Sequence, residues 1–178
     1  LAVTVAALTS LLQAQHPPPA DPAGSGVATT GPVDPPTNRP SPPPIMPGCD
    51  AYPIAAHLRD VVPVPVVVEN DANAMALGEQ ASGYPGSPAL CFVKVSTGIG
   101  TGIVIDGEIY RGVDGGAGDI GHVRLTGHDD KLCHCGAHGC LAAIASGAAG
   151  ADQLRKLGSD PDSGRDRRHM IEAGGAGG

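Results

Sequence analysis

Aromatic residues are nearly missing from this sequence of 178 residues, which holds three Tyr, one Phe and no Trp. Any core must therefore be built from Val, Ile, Leu and Ala. Long apolar runs are missing too: no stretch of about 18 apolar residues occurs, so none is long enough to cross a membrane as a helix. The apolar N-terminal stretch has no basic region ahead of it and does not read as a signal peptide. Basic residues are few and scattered. The 11 Lys and Arg stand against 18 Asp and Glu, a formal net charge of −7, which argues against a phosphate-backbone grip on nucleic acid. Cys is scarce and odd in number: of five, three fall between Cys133 and Cys140. That spacing points to a metal cluster rather than a secreted disulfide framework.

What is abundant is Gly, with 27 residues, and Pro, with 18. Most prolines lie in residues 16–50. Leu1–Gln15 reads as a helix, with Val5, Leu8, Leu11 and Leu12 at helical spacing and Pro17–Pro19 stopping it. Within the Pro-rich region Val27–Thr30 suits a short strand, and Gly31 to Gly48 reads as loop. From residue 52 the pattern becomes ordered. Ile54–Asp60 is expected as a short helix and Val66–Val68 as a strand buried on both faces. Asp71–Ala81 is expected as a second helix and Leu90–Val95 as a strand. Gly98–Gly102 reads as a Gly-rich turn, and Ile103–Ile105 with Glu108–Tyr110 as a hairpin about Asp106-Gly107. Residues 113–140 read as loop and Leu141–Ala149 as a helix, with a short helix around Gln153–Leu157. The tail, rich in Gly, Ser, Asp and Arg, reads as disordered.

Three constellations suggest chemistry. The first is His122, Cys133, Cys135 and Cys140. Three thiolates and an imidazole match a closed, tetrahedral, structural zinc site, and Gly136 and Gly139 allow the tight backbone it needs. His134 and His138 are alternative ligands by position. A zinc ribbon for nucleic acid normally shows paired C-x2-C knuckles in basic surroundings, and neither is present. The second is Glu69-Asn70-Asp71-Ala72-Asn73-Ala74, which follows an apolar strand and opens a helix. A carboxylate there is placed to act as a general base toward a bound hydroxyl, while Asn70 or Asp71 also suits a helix cap. The third is Ser96-Thr97-Gly98-Ile99-Gly100-Thr101-Gly102. Its glycines let backbone N–H groups approach an anion, yet it lacks the Lys of a P-loop and leads into a strand.

Together with Gly31-Pro32-Val33-Asp34, Pro43-Pro44-Ile45-Met46-Pro47-Gly48, Gly118-Asp119-Ile120-Gly121-His122 and Cys133-His134-Cys135-Gly136-Ala137-His138-Gly139-Cys140, these segments resemble the ROK family of repressors and sugar kinases. The resemblance implies an α/β, actin-like or ribonuclease-H-like ATPase fold of the sugar-kinase type, incomplete here and carrying a zinc-binding loop. Residues 1–15 would be a helix of a truncated N-terminal lobe, 16–50 a Pro-rich loop region and 51–83 the end of that lobe. Residues 84–149 would start the C-terminal lobe, with the phosphate hairpin and zinc loop, and 150–178 would be a disordered tail. It further implies Asp71 as catalytic base, and Asn70, Asp71, Asp119 and His122 as the sugar site. Thr97, Gly98, Gly100, Thr101 and Gly102 would form the phosphate site, and His122, Cys133, Cys135 and Cys140 the ligands of structural zinc.

The sequence departs from the kinase pattern in two places: Ala142 stands where kinases carry Glu, and Asp119 where they usually carry Glu. Leu1 in place of Met reads as a fragment, without the upstream phosphate turn and the segment closing over adenosine. The expectation is therefore the sugar-sensing part of a transcriptional regulator, binding a hexose or related sugar in the cytoplasm, with DNA reached only through an upstream helix-turn-helix. A homo-oligomer is compatible with the resemblance. The alternatives are a fragment of an ATP- and Mg-dependent glucokinase-like enzyme and a non-functional remnant.

Overall fold

The computed structural model describes residues 6, 7, 9, 10, 14, 23–41 and 52–156. Of the expected N-terminal helix, Ala6, Ala7, Thr9, Ser10 and Ala14 are helical. The Pro43–Gly48 box and the tail beyond Lys156 lie outside the described residues. The fold is α/β.

The first unit pairs β1 (Ser25–Thr29) in parallel with β4 (Val66–Asn70), Val27 opposite Val68. The chain between them forms a small antiparallel ribbon, β2 (Val33–Asp34) with β3 (Arg39–Pro40), and helix α1 (Ile54–Arg59). The ribbon replaces part of the expected 31–48 loop. It tolerates Pro40 because a two-residue edge needs few donors. Its turn is clamped from outside: Asn38, at φ 56°, accepts from Val68 N at 3.1 Å and donates to Val66 O at 3.4 Å. Val33, Ile54, Ala55, Leu58, Val66 and Val68 form the core of this unit. Val67 between the two buried valines is 59 % exposed, so β4 is covered on one face rather than both as its β-branched run suggests.

Helix α2 (Asp71–Ser82) follows β4 without a linker and lies on a second sheet of β5 (Ala89–Val95), β6 (Ile99–Ile105) and β7 (Glu108–Ile109). The β6–β7 turn is the expected one, with Asp106 at φ 51° and Gly107 at φ 82°, both left-handed as a two-residue hairpin requires. The expected Gly98–Gly102 turn is shorter in fact. Strand pairing already begins at Val95 opposite Ile99, and Ser96–Gly98 alone make the bend. Gly100 and Gly102 are strand residues whose missing side chains let α2 approach. A Cβ on Gly102 would lie 2.3 Å from Ala72 O and 2.5 Å from Ala76 Cβ.

Residues 113–140 hold only a 3-10 turn (Ile120–His122) and isolated bridges. Two helices close the described chain, α3 (Leu141–Ala145) and α4 (Gly147–Lys156). The single helix expected over 141–149 breaks at Ser146, which is extended (φ −74°, ψ 165°). The break lets Gly147 N bond Ser96 O at 2.7 Å. Residues 150–156, placed in the expected disordered tail, belong to α4, which absorbs the short helix foreseen near Gln153. Among the described residues no helix is long and apolar enough to cross a membrane.

Candidate functional site

The helix following β4 starts on a built cap. Asn70 Oδ1 accepts from Ala72 N at 2.9 Å and Asn73 N at 3.1 Å, and its Nδ2 donates to Gly31 O at 3.0 Å. Of the two capping candidates, Asn70 is therefore the cap, and it also ties the helix to the turn after β1. Asn70→Ala removes both links. A lost cap costs about 1 kcal/mol and a net hydrogen bond about as much, so thermal melting should show a loss of about 2 kcal/mol. Asn70→Asp, which keeps the acceptor but not the donor, should lose about half of it.

With Asn70 committed to the backbone, the next side chain, Asp71, faces the cleft. Its Oδ2 lies 2.5 Å from Lys94 Nζ, with the two side chains 20 % and 24 % exposed. Behind it Glu69 holds a second network. Glu69 Oε1 accepts from Asn70 N at 2.9 Å and Asn73 Nδ2 at 3.0 Å, and Oε2 from Arg111 Nε at 3.0 Å and Nη2 at 2.5 Å. Arg111 thereby fastens the loop after β7 to the helix entry.

Across the cleft, two close backbone approaches bring the Gly118–His122 segment onto β6. A Cβ on Gly118, at φ 87°, would lie 2.1 Å from Thr101 O, and one on Gly121 2.2 Å from Ile99 O. These glycines place Asp119 and His122 beside the Ser96–Gly98 bend. The Asp119 side chain caps nothing in the 3-10 turn. One cavity of about 430 Å³ is lined by Asn70, Asp71, Asp119 and His122 together with Thr97, Gly98, Gly100 and Thr101. Gly102, grouped with them by sequence, does not line it; it packs under α2. Asn73 Oδ1 and Thr101 Oγ1 are buried without a partner among the described residues, and both residues line the same cavity. Thr30, Gly31, Lys94 and Cys135 also line it.

His122 joins this cleft to the cysteine cluster. Its Nδ1 lies 3.7 Å from Cys133 Sγ, Cys135 Sγ lies 3.7 Å from Cys140 Sγ, and the four ligand atoms all fall within 4.8 Å of one another. Tetrahedral zinc with Zn–S bonds of about 2.3 Å holds its sulfurs about 3.8 Å apart, so the donor set fits that ion in kind and spacing. With Nδ1 toward the sulfurs, Nε2 remains for the cleft. The backbone explains the convergence. Gly136 N donates to Cys133 O at 2.9 Å and Cys133 N to Ala137 O at 2.8 Å, closing a tight hairpin. It needs Gly136 at φ 87°, with Gly139 at φ 76° turning the chain back toward Cys140. His134 and His138 lie outside the cluster, exposed, with His138 Nδ1 2.8 Å from Asp129 O. The backbone of Ala137 lowers the Cys135 thiol pKa. Burial, aided by the other two thiols, pushes Cys140 up to about 12.

Lys94 and Arg111 were not singled out by sequence, and Glu69 was named only as part of the 69–74 constellation, without its partner. Lys94 did carry a signal: Leu90, Phe92 and Lys94 alternate on one face of β5, and a charge on an inward strand position requires a partner.

An α/β scaffold with a cleft at a strand-to-helix junction and a Cys/His cluster on its rim defines the class of protein. Comparison with known proteins makes it specific. The sequence matches the ROK family over residues 3–174, and the chain belongs to that family. It is 41 % identical over 96 residues to a glucokinase of Halalkalibacterium halodurans, covering 53 % of this chain and 29 % of the relative. It is 39 % identical over 106 residues to the xylose repressor of Caldicellulosiruptor bescii, covering 59 % and 26 %. The crystal structure of a ROK hexokinase from Thermus thermophilus superimposes with a TM-score of 0.73 at 33 % identity, over 96 % of this chain and 57 % of that one. The fold is thus that of ROK kinase and repressor structures, of actin-like ATPase type. The matched segment spans less than a third of either curated relative, and the relatives include both enzymes and repressors.

Proposed function

We propose that this chain forms the sugar-recognition cleft of a ROK protein, working as the effector-sensing part of a transcriptional regulator. The observation that carries it is the convergence of Asn70, Asp71, Asp119 and His122 on one cavity. In this reading Asp71, Asp119 and His122 Nε2 meet the hydroxyls of a hexose, and Asn70 fixes the helix that presents Asp71. Zinc on His122, Cys133, Cys135 and Cys140 supplies no chemistry beyond structure, holding His122 at the rim. Residues 51–83 would end one lobe and 84–149 begin the next, with the cleft between them. Sensing is favoured over turnover by two observations. Asp71 is already paired with Lys94, and Ala142, next to Gly121 behind the 3-10 turn, brings no carboxylate where kinases of the family place one.

A kinase reading is supported by Asp71 lying in the same cavity as Thr97 and Gly98. There Asp71 would accept the proton of the sugar hydroxyl that attacks a γ-phosphoryl group. The Ser96–Gly98 bend would lie along the phosphates, with Mg·ATP supplying the transferred group.

Calorimetric titration with glucose, xylose and N-acetylmannosamine tests both readings. Binding of one of them, lost in Asp71→Asn and without ADP release when ATP is added, is the expected result. Steady ADP release that Asp71→Asn abolishes would replace the regulator with the kinase. Ala142→Glu should tighten binding by about one charge-assisted hydrogen bond, roughly tenfold or more; unchanged affinity would place position 142 away from the sugar.

A further inference from the structure

Lys94 is paired in register with Gly100 of β6, so no side chain stands beside it on that face. Ala72 of α2 lies over the same glycine, 3.4 Å from where a Cβ would be. The register therefore carries Lys94 to the first turn of α2, where Asp71 receives its ammonium at 2.5 Å. A lysine whose stem lies between sheet and helix gains from an acceptor for its ammonium, and this accounts for the pair as structure. A second observation goes further. Both residues line the cavity, and the pair is not spent on itself. An ammonium has three donors and a carboxylate two accepting oxygens. Among the described residues the pair uses one Lys94 donor and Asp71 Oδ2.

Resting on the sugar-site reading above, we propose that Lys94 is a ligand-contacting specificity residue, and that it and Asp71 together recognise two adjacent hydroxyls of a neutral sugar. One hydroxyl donates to Asp71 Oδ1, and the oxygen of its neighbour accepts from Lys94 Nζ. Each group strengthens the other, because the hydrogen bonds to the sugar are charge-assisted while the pair stays neutral. Asp119, the other carboxylate lining the cavity, leaves the lining charges at one Lys against two Asp. That balance favours an uncharged polyol over a phosphorylated or acidic sugar. A sugar lacking either of the adjacent hydroxyls forfeits half of the recognition.

The test is titration of the full chain with glucose, xylose and N-acetylmannosamine, followed by the monodeoxy analogues of whichever binds. The proteins are the unaltered chain, Lys94→Met and Lys94→Arg. Lys94→Met should weaken the parent sugar about ten- to a hundredfold, the range for a lost charged hydrogen bond, and Lys94→Arg should recover part of it. The deoxy analogue that lacks the contacted hydroxyl should bind the unaltered chain about tenfold more weakly than the parent does. It should bind Lys94→Met no more weakly than the parent does. If Lys94→Met weakens parent and all analogues by one common factor, Lys94 only holds Asp71 in place and the proposal fails. Equal binding by all three proteins overturns it as well. If the unaltered chain binds none of the sugars, the sugar-site reading itself fails and the proposal with it, a result distinct from either. Reductive methylation of the unaltered chain, read by peptide mass spectrometry, needs no variant: a saturating sugar should slow methylation of Lys94, and an unchanged rate counts against contact.

Discussion

Purified from zinc-containing medium, the chain should carry about one equivalent of zinc, and the Cys133→Ser/Cys135→Ser variant should carry essentially none. The expectation follows from the ligand atoms, which already stand within 4.8 Å of one another, two of them on a hairpin closed by its own backbone. It follows also from the shortage of other stabilisation there. Leu132 in the same loop is 66 % exposed and Val123 53 %, so residues 123–140 have little apolar burial to hold them. A structural zinc ion contributes on the order of 10 kcal/mol where it is coupled to folding. Stripping it with a chelator should therefore release this loop and lower the melting temperature far more than any single side-chain change. Binding must deprotonate the thiols, and burial holds Cys140 up to about 12; zinc affinity should accordingly rise with pH and fall in acid. Cys91, exposed on β5 and apart from the cluster, is the control, and Cys91→Ser should keep its metal. Elemental analysis decides the matter. Stoichiometric zinc surviving in the double variant would remove the assignment, and with it the reason for His122 to stand at the rim.

Gly102→Ala should be among the most damaging single methyl groups in the described chain. Its Cβ would meet Ala72 O at 2.3 Å and Ala76 Cβ at 2.5 Å. Both atoms are fixed in α2, and Ala76 is fully buried. No rotamer change relieves such a contact, so the helix must lift from the sheet. Overpacking of a core costs about 1–3 kcal/mol and more where backbone is displaced, and here the displaced helix begins with Asn70 and Asp71. Gly98→Ala supplies the comparison. Nothing lies within 4 Å of its added methyl group, so its stability should stay within about 0.5 kcal/mol of the parent. Any effect of that variant on ligand binding therefore reports on the bend itself. Urea melts of the two proteins separate packing from recognition within a motif whose glycines look alike in sequence. If Gly102→Ala melts with the parent, α2 does not rest on β6 as described.

The effect of Gly102 shows where sequence reasoning stops. An alternating Gly pattern before a strand reads as an anion cradle because glycine permits close approach. The sequence does not say what approaches, and at Gly102 it is α2. The same blindness applies to the helix. Met75 and Leu77 are the large apolar residues of the helix, yet they are 47 % and 37 % exposed, while Ala72 and Ala76 are buried. Against a glycine strand the contact distance is too short for larger side chains, so the smallest residues make the interface. Lys94 was missed for a related reason: its partner is 23 residues away, and only the β5–β6 register brings them together.

By itself the sequence determined the α/β character, the helix start at Asn70-Asp71, the Asp106-Gly107 hairpin and the metal-type cysteine spacing. Each is a local matter, decided by capping, by left-handed turn conformations or by ligand chemistry over a few residues. The family text also marked Asn70, Asp71, Asp119 and His122 as companions. Only the tertiary structure decided that they line one cavity, and that Lys94 shares Asp71. It likewise decided that Arg111 anchors through Glu69, that Gly102 serves packing, and that Ser146 breaks the last helix so that Gly147 can bond Ser96. Those outcomes depend on which backbone comes within contact distance of which, a quantity fixed by the packing of β6 against α2 and the 3-10 turn and by no short stretch of residues.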